Sequence, residues 1–89
     1  KDLTGTILAG ADLSNANLTN AILKNANLSN VTLENAKLLD VDLDSANLTN
    51  ANLRNTLLVD ANLSNAILVD AHSSVQSFAC AFDGSSIRQ

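Results

Sequence analysis

Leucine stands at every fifth position of this chain from Leu3 through Leu68, fourteen times without a break. No regular helix can keep that spacing on one face, because five residues advance about 140° past a full turn and spread the leucines around the cylinder. A straight strand fails too, since an odd spacing sends successive leucines to opposite faces. The chain must therefore turn once per repeat. Two residues before the leucines, from Ala11 to Ala71, stand ten alanines together with Val31, Val41 and Thr56. In a short extended stretch a small residue and a leucine two apart both point inward, and the residue between them points out. Two residues after each leucine Gly, Asn, Asp or Ser recurs through Asp70, residue types suited to a corner, including left-handed backbone.

A chain that turns at each fifth residue closes a ring, and rings stacked at the ~4.8 Å strand spacing satisfy one another's backbone groups. Charge placement favours four sides per ring. At a separation of twenty, Lys24 lies over Asp44 and Glu34 over Arg54; at fifteen neither pair coincides.

Units such as ADLSN, ANLTN, ANLSN and ANLRN resemble the A-[DN]-L-x-x pattern of pentapeptide-repeat proteins, over Lys1 to about Asp70. The resemblance implies an all-β fold: a right-handed, four-sided (quadrilateral) parallel β-helix solenoid, here of about four coils, filled by Leu and Ala. Handedness and cross-section come from the family; the residues themselves establish the turn per unit and favour four.

The pattern holds over residues 1–72 and departs after it. Ser73 takes a leucine position and Phe78 the next; CAFDG and SSIRQ then fit only if one residue has been lost, which puts Phe82 and Ile87 inward. The alternative is an irregular cap over the last coil, since an open β-helix end invites pairing. Residues 73–89 are thus expected to be register-slipped repeats or a cap of the same domain.

Composition narrows the function. A chain of 89 residues, 2 % aromatic and without Trp, Tyr, Met or Pro, has no material for an aromatic-lined pocket or a base-stacking platform. A net charge of −4 without a basic cluster argues against direct binding of nucleic acid or anionic membrane. No apolar run approaches the ~18 residues of a membrane span. The absence of methionine and a start at Lys1 fit a processed product or an excised fragment.

Catalytic chemistry has no visible residues. The single histidine, His72, falls at an outward position, and Cys80 is the lone cysteine; two such residues do not make a zinc site. Asp40, Asp42 and Asp44 resemble the opening of a calcium loop, but Ser45 stands where Gly is needed and Ala51 where a bidentate Glu is needed. The twenty-residue stack also brings Asp60 near Asp40, and solvated acidic surface is the expected reading. Sequons beginning at Asn17, Asn27, Asn30, Asn47 and Asn62 arise largely from the repeat itself. No metal or cofactor is expected.

The expected function is a non-catalytic scaffold or protein–protein interaction module, acting through a flat β-face on a protein partner or on another copy. The alternative, implied by the family resemblance, is a DNA mimic that binds a type II topoisomerase such as gyrase; its sign of charge agrees. The candidate face is Leu39, Leu57 and Val59, which a twenty-residue coil gathers on one outward side, where other positions are mostly polar.

Overall fold

Each repeat turns at the residue two after its leucine. From Gly5 to Asp70 these corner residues all have positive φ, between 56° and 74°. The carbonyl of the leucine accepts a hydrogen bond from the N–H three residues on, as from Leu43 to Ala46 at 3.0 Å. Positive φ at the third of the four residues is the mark of a type II turn, which favours Gly and Asn there. Twelve non-glycine residues hold this conformation, and Asn, Asp and one Ser supply them because their short polar side chains tolerate it best.

The computed structural model describes residues 1–73. Ten isolated bridges and the pairing of β1 (Asn52–Leu53) with β2 (His72–Ser73) are all parallel, and every partner lies twenty residues away. Four units therefore make one coil. The sides are too short for long strands; each allows about three extended residues between corners, so most ladder contacts are single bridges. The first side carries outward residues 2 and 4, 22 and 24, 42 and 44, 62 and 64; the second begins at 7, the third at 12 and the fourth at 17, with the same interval of twenty.

One unit shows how the backbone is satisfied. In Ala46–Asn50 the Ala46 N–H closes the turn to the Leu43 carbonyl at 3.0 Å, Asn47 donates down to the Ala26 carbonyl at 2.9 Å, and Leu48 and Asn50 donate up to Ile67 and Val69 at 2.7 and 2.9 Å. The remaining N–H, on Thr49, is taken by the Asn47 Oδ1 at 3.0 Å, and the Thr49 hydroxyl donates to that same oxygen at 2.6 Å. Position −1 to the leucine is thus Asn or Asp for a structural reason: its side chain caps the one amide that stacking leaves over. The same cap joins Asp2 to Thr4, Asp12 to Ser14, Asn17 to Thr19, Asn27 to Ser29 and Asn62 to Ser64.

Inside, the leucines of successive coils stack, Leu23 below Leu43 below Leu63, with the small residues filling between them. Leu23 through Leu68 are buried, as are the small residues from Ala21 to Ala66. Burial of each such leucine stabilises by about 1.5 to 3 kcal/mol. Thr56 replaces alanine at one inward position, and its hydroxyl donates to the Leu33 carbonyl of the coil below at 2.7 Å. The expected column from Leu3 to Leu68 differs at its start: Leu3, Leu8, Leu13 and Leu18 are only half-buried, because among the described residues no coil lies beneath them. Of the slip or cap expected over 73–89, Ser73 still pairs in register with Leu53, and the rest, with Phe78 and Cys80, lies outside the described residues.

Candidate interaction face

Leu57 occupies the position before Leu58 on the fourth side, where most other units carry Asn or Asp. Lys37 is its parallel bridge partner in the coil below. The Leu38 N–H donates to the Leu57 carbonyl at 2.8 Å and the Asp40 N–H to the Val59 carbonyl at 3.0 Å, which sets Leu39 directly under Val59. The structure thus places Leu39, Leu57 and Val59 side by side on adjacent coils of one side. Leu57 is 47 % and Val59 39 % exposed, and Leu39 is half-buried. Below them the fourth side is polar, with Asn17 and Thr19 hydrogen-bonded to each other.

The capping of the amides differs from that of the units with Asn or Asp before the leucine as well. Neither Lys37 nor Leu57 has a side-chain oxygen to cap the amide two residues on, so among the described residues no side chain takes the N–H of Leu39 or of Val59. By the register of the repeat both amides hold the position of the Thr49 N–H, which bonds to the side chain of Asn47.

Acidic residues collect at the edge that follows. Asp40 and Asp60 stack at the corner after the fourth side, with φ of 56° and 60°, and Asp42 and Asp44 come next on the first side. The Asp42 Oδ1 accepts from the Asp44 N–H at 3.1 Å and from the Asn62 Nδ2 at 3.3 Å. Among the described residues no three His, Cys, Asp or Glu side chains gather as a metal site. His72 lies on β2, outward on the third side and exposed.

The charge pairs read from the sequence share the expected register but do not close. The Asn25 N–H donates to the Asp44 carbonyl and the Asn35 N–H to the Arg54 carbonyl, so Lys24 and Glu34 lie one coil below Asp44 and Arg54. No ion pair forms between these side chains; long side chains on an exposed face gain too little to be held in one geometry. The Asp2 carboxyl is lowered chiefly by hydrogen bonds from the Thr4 hydroxyl and amide, with Lys24 of the coil above only a minor contributor. Asp12 is lowered in the same way by Ser14.

Sequence reading missed Val69, 39 % exposed, which pairs with Ile67 on the second side. The signal was available: wherever position −1 is Ile or Leu in the upper coils, position +1 is Val. Ile7, on that same side, is 78 % exposed, and two polar coils separate it from Ile67.

A family model described as pentapeptide repeats matches residues 2–35 and 36–72, with eight copies. Among solved structures, a pentapeptide repeat protein of the Arabidopsis thaliana thylakoid lumen is 31 % identical with a TM-score of 0.74, over 75 % of this chain and 46 % of that one. A pentapeptide repeat protein from Nostoc is 28 % identical with a TM-score of 0.56, over 98 % of this chain and 83 % of that one. The chain thus spans about half the length of the Arabidopsis protein. No curated protein sequence matches it.

Proposed function

Because the chain belongs to the pentapeptide-repeat family, we propose that it is a non-catalytic protein–protein interaction module, a right-handed four-sided parallel β-helix that presents its fourth side to a partner. The observation that carries this reading is the row Leu39, Leu57 and Val59. It gathers three aliphatic residues on two adjacent coils, where the coil below carries the hydrogen-bonded pair Asn17 and Thr19, and uncovered aliphatic residues on stacked strands favour association. The repeat does not require them, since Asn47, Leu48 and Thr49 show the polar solution at equivalent positions.

The decisive comparison uses a triple variant, Leu39→Thr, Leu57→Asn and Val59→Thr, which restores the Asn–Leu–Thr unit and keeps the interior. Sedimentation velocity reports self-association, and affinity enrichment from an extract of the source cells, read by quantitative mass spectrometry, reports other partners. Wild type is expected to sediment as an assembly, or to retain proteins, that the variant loses. Identical sedimentation together with identical retained proteins contradicts the proposal.

DNA mimicry has one feature in its favour, the acidic edge of Asp40, Asp42, Asp44 and Asp60. Its charge density is too low. Duplex DNA carries one charge per ~1.7 Å, hence about three per coil height of ~4.8 Å, whereas this edge carries four carboxylates over two coils, about two per coil, and is acidic over those two coils only. A supercoiling assay showing stoichiometric inhibition of gyrase would reverse that preference.

A further inference from the structure

The fourth side has two properties that apolar contact alone does not use: its amides at Leu39 and Val59 are capped by no side chain, and one of its edges is acidic. We infer that it receives a short extended segment of another protein in which apolar residues are accompanied by Lys or Arg lying along Asp40 and Asp60. The inference rests on the interaction-face reading and names the partner's chemistry.

Three observations lead there. First, Asp40 and Asp60 each follow directly on Leu39 and Val59, so that every apolar residue at position +1 has a carboxylate beside it on the corner. Among the described residues neither carboxylate is in an ion pair, and the nearest cation on this side, Lys37, sits at the opposite edge. A complementary partner therefore brings positive charge to one edge of an apolar strip. Second, uncapped amides at Leu39 and Val59 offer donors that the carbonyls of an extended backbone can take, whereas a smooth helix surface cannot. Third, scale selects the occupant. Three coils about 4.8 Å apart and three extended residues wide present on the order of 200 Å², against ~800 Å² per partner in stable associations of whole domains. This side alone suits a segment better than a second rigid copy.

A random twelve-residue peptide library, displayed and panned on the chain with counter-selection on the Leu57→Asn, Val59→Thr variant, tests this. A second variant, Asp40→Asn with Asp60→Asn, removes the edge charge and keeps the fold, because Asn already holds the same corner one coil below at Asn20, with φ of 67°. The expected peptides combine Leu, Ile, Val or Phe with an excess of Lys and Arg. They should lose roughly two- to thirty-fold in affinity on the double Asn variant, the range for two exposed charge contacts, and that loss should shrink in high salt. Selected peptides without a basic excess, or bound equally by the double Asn variant, overturn the inference while leaving the face reading intact. Failure to select any peptide that distinguishes wild type from the Leu57→Asn, Val59→Thr variant overturns the inference; the face reading falls with it only if sedimentation and the proteins retained from the extract are also unchanged in the triple variant.

Discussion

Replacing Leu43 by alanine probes the stacked interior at a fully enclosed point. Leu43 is 1 % exposed and lies between Leu23 and Leu63. The substitution deletes three carbon atoms, and at ~0.8 kcal/mol per methylene the lost transfer free energy is about 2.4 kcal/mol. The neighbouring coils cannot close over the gap, because the Leu23 N–H is held to the Asp42 carbonyl at 2.7 Å and the Leu43 N–H to the Asn62 carbonyl at 2.8 Å. A retained cavity raises the loss to about 3 to 5 kcal/mol, the upper part of the range for buried leucines. The same substitution at Leu3, half-buried in the first coil, opens only to solvent and should remove about 1 kcal/mol. Domains of this size have roughly 4 to 13 kcal/mol in total, so Leu43→Ala should bring the chain close to unfolding and Leu3→Ala should not. Urea denaturation followed by far-UV circular dichroism measures both. Equal shifts of the two midpoints would show that the leucines do not form a closed column.

Three further outcomes follow from the same contacts. Ser45→Gly should stabilise by about 0.5 to 1 kcal/mol, because Ser45 holds φ of 64° at a corner where glycine is unstrained; a lower melting temperature contradicts this. Asn47→Ala should lose about 0.5 to 1.5 kcal/mol by leaving the Thr49 amide uncapped, and Asn47→Asp, which keeps the accepting oxygen, should recover most of it in the same denaturation assay. The Asp2 and Asp12 carboxyls are held below their ordinary value by hydrogen bonds from Thr4 and Ser14, so their contribution is present above about pH 4 and fades as pH falls through the lowered values. Asp2→Asn with Asp12→Asn should flatten the acid limb of the stability curve, and an unchanged limb refutes the assignment.

Much of the architecture was legible because the repeat couples side-chain size to position without exception in its interior. Leu at every fifth residue excluded helix and straight strand, and the corner residues from Asn15 to Asp70 announced positive φ through their side chains. The row of Leu39, Leu57 and Val59 could be placed on one side as soon as the coil length was set at twenty. Other features depend on rotamers and on neighbours that spacing does not specify. Lys24 and Asp44 share a register, yet whether two exposed side chains meet is decided by small differences in solvation and entropy. The Asn–Leu–Ser/Thr units looked like a by-product of the repeat, and only the backbone revealed the amide that Asn47 caps. The Thr56 hydroxyl reaches a carbonyl 23 residues away, a contact invisible in a residue that otherwise reads as a substitute for alanine.

Assignment of every residue to a face, the interaction face included, depends on the twenty-residue coil. Cross-linking tests it most directly, in a Cys80→Ser background with Lys37→Cys paired either with Leu57→Cys or with Asn52→Cys. Bridge partners twenty apart lie about 4.8 Å apart, within the 4.4 to 6.8 Å that a disulfide spans. Under mild oxidation, mass spectrometry of the peptide fragments should show the 37–57 disulfide in high yield and none between 37 and 52. A dominant 37–52 cross-link would mean a coil of fifteen residues, and it would remove Leu39, Leu57 and Val59 from a common side.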